Sequence, residues 1–231
     1  MLGNASETEF DIRFSVFGIP CRIHPGFWII GAIMGFSPGW ADAIGVNVLS
    51  VILLWYCVFF VSILVHELGH ALVMRWYGAR PDVVLYHMGG YASAPMARFS
   101  PWRNIIVSAA GPIAGFILYG LVIGGDYFAQ SKGWSAGNGA YGFLFAQLCF
   151  VNLWWGVINL LPVFPLDGGR ICGAILQLFR VRSSELRTAQ IGMVVGGCIA
   201  VLLFSQGMTF AALLFLMLAA QNYQATQQSR W

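Results

Sequence analysis

The chain has 231 residues, 58% of them hydrophobic and only 9% charged, with a mean hydropathy of +0.74 and a formal net charge of +3. Soluble domains carry about a quarter charged residues, and a core of this size does not hide so much apolar surface, so the composition excludes an ordinary soluble domain and implies an integral membrane protein. With so slight a charge and no Arg/Lys cluster, nucleic acid is excluded as a partner, and the lipid bilayer is the expected surrounding.

The N-terminal stretch carries Glu7, Glu9 and Asp11 and no basic n-region, so no signal peptide is expected. Residues 1–25 read as a cytoplasmic segment with a β-hairpin, since residues 10–17 alternate with period two before Gly18. An apolar run from Gly26 to Phe36 then breaks at Ser37-Pro38-Gly39, short of the roughly 20 residues a span needs. Residues 48–74 are long enough to cross with tilt. "DVVLYHMGGYASA", residues 82–94, reads as a second hairpin around Gly89-Gly90. Further spans are drawn at residues 104–124, 140–161 and 189–204, the last turning at Ser205-Gln206-Gly207 into a sixth that ends by Gln221. That last pair also fits a kinked hairpin that does not fully cross. The expected fold is an all-α polytopic membrane protein of about six transmembrane helices, residues 26–221, with small membrane-surface β-hairpins on the cytoplasmic side and a short tail at 222–231. Five scattered cysteines without a C-x-x-C pattern read as small hydrophobes.

Orientation follows from the basic residues. Arg13 and Arg22 precede the first span; Arg75, Arg80, Arg98 and Arg103 lie between the second and third. Arg170, Arg180, Arg182 and Arg187 lie between the fourth and fifth, and Arg230 is in the tail. The opposite loops hold only Lys132, so both termini are placed in the cytoplasm.

Within the second span stands "HELGH", residues 66–70. On an α-helix His66 and His70 differ by roughly 40° in direction and one turn in height, so both imidazoles reach one metal. Glu67 projects beside that face. This is the H-E-x-x-H arrangement of zinc hydrolases, with the glutamate as general base. Ionisable groups within a span already favour function over a buried structural cluster. A catalytic zinc needs a third protein ligand and an open position. The fourth span runs in the same direction as the second and delivers "NLLPVFPLDGGR", residues 159–170, to the same end. Asp167 is its only acid and is assigned as the third ligand of one Zn2+. Pro162 and Pro165 stop the helix near Asn159, while Gly168-Gly169 supply backbone freedom. Asn159 suits a hydrogen bond to substrate or a developing oxyanion, and equally a cap on carbonyls freed by Pro162. The Gly89-Gly90 hairpin offers an edge for an extended substrate or is a plain surface hairpin; Pro at Tyr91 is the sequence-level test. His24 and His87 are left out of the site.

"HELGH" in a span followed about a hundred residues later by "NLLPVFPLDGG" resembles the site-2 protease family of intramembrane zinc metalloproteases. "GIPCRIHPGFW" before the first span and "SAAGPIAGF" in the third extend the likeness over residues 18–170. The resemblance implies a zinc-holding core of the second, third and fourth helices, flanking helices that gate access, and cleavage of a transmembrane helix of another protein. It carries the ligands onto His66, His70 and Asp167, the catalytic glutamate onto Glu67 and the motif asparagine onto Asn159. Two departures stand out. Many relatives have Pro directly after that asparagine, where this chain has Leu160, and the chain has no room for the PDZ insertion or CBS pair that relatives often carry. Two other functions fit the ionisable cluster: a polytopic ion or proton transporter, and a zinc-binding membrane protein without proteolysis. The transporter would show inverted repeats, which the sequence lacks, and the second would have no use for Glu67.

Overall fold

The computed structural model describes residues 6–35, 40–41, 45, 47–87, 89–133 and 139–228. The proposed break at Ser37-Pro38-Gly39 and Arg230 of the tail lie outside the described residues. The chain groups into two compact units, Met1–Ala97 with Ala110–Gly156, and Arg98–Ala109 with Val157–Trp231.

In the first unit β1 (Ile12–Val16) and β2 (Ile19–Ile23) form the expected hairpin. Phe17 and Gly18 both have positive φ, 51° and 74°, as a two-residue turn between right-twisted strands requires. β3 (Asp82–Tyr86) and β4 (Gly89–Ser93) form the second hairpin. The two hairpins are not separate. They join in one sheet of order β1-β2-β3-β4, with β2 and β3 parallel. The register sets Cys21 beside Val83 and Ile23 beside Leu85, so the buried alternate residues of β2 continue the buried face of β3. The His24 N–H extends the pairing to the Leu85 carbonyl at 2.8 Å.

The β2-to-β3 crossover contains α1 (Gly26–Gly35) and α2 (Val48–Trp76). The Gly26 N–H bonds the His24 ring Nδ1 at 3.0 Å, and Asn47 caps α2 by accepting from the Ser50 N–H at 2.8 Å. Aromatic packing holds the two helices. Phe27, fully buried, stacks on Phe59 at 4.7 Å, and Trp28 lies edge-on to Tyr56. The polar handles are used too: Trp55 Nε1 donates to the Gly31 carbonyl and the Tyr56 hydroxyl to that of Trp28. At the far end of α2 the Arg75 guanidinium donates to the Phe17 carbonyl at the hairpin tip. α3 (Pro101–Ser131) and α4 (Ala140–Asn159) supply the rest of this unit from Ala110 and up to Gly156. Asn152 of α4, 1% exposed, donates to the Ser62 hydroxyl of α2 at 2.9 Å, a buried polar tie between apolar helices.

The second unit contains α5 (Asp167–Leu178), α6 (Ser184–Ser205) and α7 (Thr209–Gln228). α6 and α7 form a helical hairpin whose turn uses Gly207 at φ 75°. Gly196 faces Ala219 so closely that an added Cβ would lie 3.3 Å from the alanine methyl. Small residues let the backbones approach where dispersion rather than water exclusion drives association. Val163, Ala200, Phe215 and Leu218 form the buried cluster of this unit.

Four helices are long and apolar enough to cross a membrane: α2, α3, α4 and α6. The architecture is the expected helical one with a small sheet, but six such spans are not found among the described residues. Helices also run past the apolar stretches. α3 is 31 residues long, α7 continues beyond Gln221 to Gln228, and α5 stands where no element was expected. Hydropathy marks only the apolar portion of a helix, whereas polar turns at its ends keep the same backbone bonds.

Candidate metal centre

His66, Glu67 and His70 lie well inside the 29-residue helix α2, and all three are buried. The two Nε2 atoms are 3.3 Å apart, with the rings nearly perpendicular. Two nitrogens each about 2.0–2.1 Å from a tetrahedral zinc stand about 3.3–3.4 Å from one another, so the pair fits that ion. The neighbouring glycines make the room. A Cβ on Gly69 would lie 2.5 Å from the Ala110 carbonyl oxygen, so Gly69 lets α2 and α3 close on each other. A Cβ on Gly111 would overlap the His70 ring. This accounts for part of the "SAAGPIAGF" segment, whose first glycine, Gly111, has a steric task at the histidine that the sequence did not disclose.

Glu67 borders the sheet. A Cβ on Gly90 of β4 would meet the Glu67 Cγ at 2.6 Å, so the glutamate stem lies directly on the strand backbone. β4 is an outer strand of the sheet. Because the Leu85 carbonyl faces β2, where it accepts from His24, its partner Gly90 turns its own N–H and C=O away from β3. Ala92, two residues on, does the same, while Tyr91 faces β3. The edge therefore belongs to Gly90 and Ala92, and Pro at Tyr91 would break the hairpin rather than test its edge.

In the second unit, α4 ends at Asn159, as the two prolines require. The chain then turns sharply: Val163 N–H bonds the Leu161 carbonyl and Leu166 N–H that of Val163, with a cis Phe164–Pro165 bond between. α5 opens on Asp167, 6% exposed, in the first turn, where a carboxylate meets the positive end of the helix dipole. Gly168 and Gly169 do not serve as flexible points, since neither has positive φ. They are glycines for lack of space. A Cβ on Gly168 would overlap the Leu160 and Leu161 carbonyls, and one on Gly169 would lie 2.7 Å from the Phe164 nitrogen. Asn159 is 9% exposed, at the helix end. His24 and His87 lie in the first unit, both beside Gly26.

Among the described helical residues, the buried histidines and carboxylates are His66, Glu67, His70 and Asp167. Two imidazoles and a carboxylate are a donor set suited to zinc, with a second carboxylate left over.

The profile of peptidase family M50 matches residues 55–133 and 125–203. A zinc metalloprotease of Methanocaldococcus jannaschii is 28% identical over 228 residues, which cover 96% of this chain and 61% of that protein. A protein of Synechocystis sp. is 30% identical over 169 residues, 70% of this chain and 43% of its own. The chain thus spans about three fifths or less of these relatives. A solved structure, the site-2 protease from Methanocaldococcus jannaschii, is similar with a TM-score of 0.58 and 25% identity over 95% of both chains. These matches favour a peptidase over the transporter, and with four apolar helices they make this an integral membrane protein. The chain belongs to peptidase family M50, the family of the site-2 proteases that its paired motifs resemble.

Proposed function

We propose that the chain is an intramembrane zinc metalloprotease that hydrolyses a peptide bond within or near a transmembrane helix of another membrane protein. The observation that carries this reading is the buried set on the helices: the donors His66, His70 and Asp167, plus Glu67, which zinc does not need as a ligand. Zinc, when bound, polarises a carbonyl and lowers the pKa of water to about 7. Glu67 takes the proton of the attacking water and passes it to the leaving amine, so that one carboxylate and one amine result. Asn159 hydrogen-bonds the substrate backbone or the developing oxyanion. A helix hides its carbonyls, so the substrate must unwind locally. The N–H and C=O groups that Gly90 and Ala92 turn away from β3, on the strand against which Glu67 packs, are the ones an unwound stretch would pair with. Both termini are cytoplasmic and the host is a cell membrane, a reading supported by the arginine distribution.

The decisive variant is Glu67→Gln. It should retain one zinc per chain in detergent-purified protein and lose cleavage of a helical reporter by at least about 100-fold, the size of a general-base contribution. A variant that cleaves normally would defeat the assignment, and a wild type that binds zinc without cleaving any helical substrate would favour the non-proteolytic reading. For the strand edge, Ala92→Pro removes an outward donor and should slow cleavage while leaving zinc in place; unchanged rates would remove the edge from the mechanism.

A further inference from the structure

We infer that Asn222, on the last helix, is a positioning residue for Asp167, an inference that rests on the reading of Asp167 as a zinc ligand. The residue falls in the stretch that sequence alone assigns to a tail, yet it is only 2% exposed. Its side-chain Nδ2 donates to the Phe164 carbonyl at 2.6 Å and to its own helix at Leu218 at 2.8 Å. The tertiary bond therefore goes to the turn three residues before Asp167.

The Phe164 residue is half exposed, whereas Val163 is fully buried in the cluster with Phe215 and Leu218. Leu166, whose N–H closes the turn on Val163, precedes α5 and provides no side-chain cap. Its carbonyl receives the N–H groups of Gly169 and Arg170, so where Leu166 stands decides where the first turn of α5 begins. Asp167 is that first residue. The tip of the turn is fixed on one side by Val163 and on the other by the Asn222 amide. Gly192 on α6 completes the arrangement, because a Cβ there would overlap the Asn222 Oδ1. A glycine and an asparagine 30 positions apart, on two helices that supply no donor to the metal, thus keep one carbonyl in place.

A plain structural tie would cost stability wherever it was broken; a positioning tie acts through Asp167. Zinc affinity is measured by chelator competition on the full chain in detergent, for wild type, Asn222→Leu, Gly192→Ala, Asp167→Ala and the Asn222→Leu/Asp167→Ala pair. Thermal unfolding of the metal-free proteins is followed in parallel. Asn222→Leu keeps the branched shape and removes the donor, and Gly192→Ala displaces the amide, its Cβ also reaching the Val163 Cα of the turn at 3.3 Å. Each should weaken zinc about 10- to 100-fold, the usual effect of losing a ligand's support. Asn222→Leu should add nothing once Asp167 is gone. With Co2+ as probe, the visible ligand-field bands of Asn222→Leu should shift toward those of Asp167→Ala. Wild-type affinity in both Asn222→Leu and Gly192→Ala, or an equal loss with and without Asp167, overturns the inference. Should Asn222→Leu not fold, Gly192→Ala with and without Asp167 decides the question by the same comparison. If Asp167→Ala itself binds zinc like wild type, the ligand reading fails first, and visibly so, and this inference goes with it.

Discussion

His66 and His70 sit inside an unbroken 29-residue helix, whereas Asp167 opens a 12-residue helix directly after a chain reversal. The histidines get their mutual geometry from four residues of α-helix, and neighbours need only leave room. The aspartate gets its place from a turn, two glycines packed against backbone carbonyls, and an amide on a distant helix. Local geometry is cheap to specify and hard to disturb from afar. Geometry assembled from several tertiary contacts is exposed to every one of them.

The two kinds of glycine probe this difference most directly. Gly168→Ala should have the larger effect, because its Cβ meets the carbonyls of Leu160 and Leu161, and backbone has nowhere to go. We expect a loss of about 3 kcal/mol or more and no zinc retained, read by metal content and thermal unfolding. Gly111→Ala also crowds a site residue, but the clash is with the His70 ring, a side chain that can rotate. The fold should survive with zinc affinity lowered about 10- to 100-fold, measured by chelator competition. Equal effects in both variants would erase the distinction between a backbone and a side-chain limit.

The smallest effect tests the N-terminal hairpin of the first unit. Asp11 accepts from the Thr8 hydroxyl at 2.6 Å and from Arg22 at 2.6 Å. The Thr8 hydrogen bonds and the Arg22 guanidinium hold its carboxyl well below the usual carboxylate range. A carboxyl depressed on folding stabilises fully above its unfolded pKa of about 3.9, and that stabilisation fades as pH falls toward the folded value. Hydrogen exchange of the β1–β2 hairpin should therefore be as well protected at pH 5 as at pH 7, after correction for intrinsic rates, and less so at pH 3. Asp11→Asn should remove the change.

The same contrast explains what the sequence discloses. "HELGH" is legible because helix periodicity turns spacing into geometry without further information. The end of α4 is legible because Pro162 and Pro165 act on their own backbone. Asp167 stands out as the sole acid of its segment. The union of β2 with β3 is not legible: it pairs residues about sixty positions apart, and each hairpin looks complete alone. Gly111, Gly192 and Asn222 are likewise silent, since their importance lies in what faces them and not in their own neighbours along the chain. α5 is missed because it is amphipathic and short, invisible to a search for apolar runs.

The outer side of β4 has one further consequence. Gly90 and Ala92 present amide and carbonyl groups and almost no side chain, so a strand that pairs there is gripped by features common to every polypeptide. Such an edge does not read a sequence. It responds to how readily a segment gives up its helical hydrogen bonds, and glycine, proline or β-branched residues in a partner lower that cost. Recognition at this edge would then be a measurement of conformational stability, with weak helices selected and strong ones left untouched.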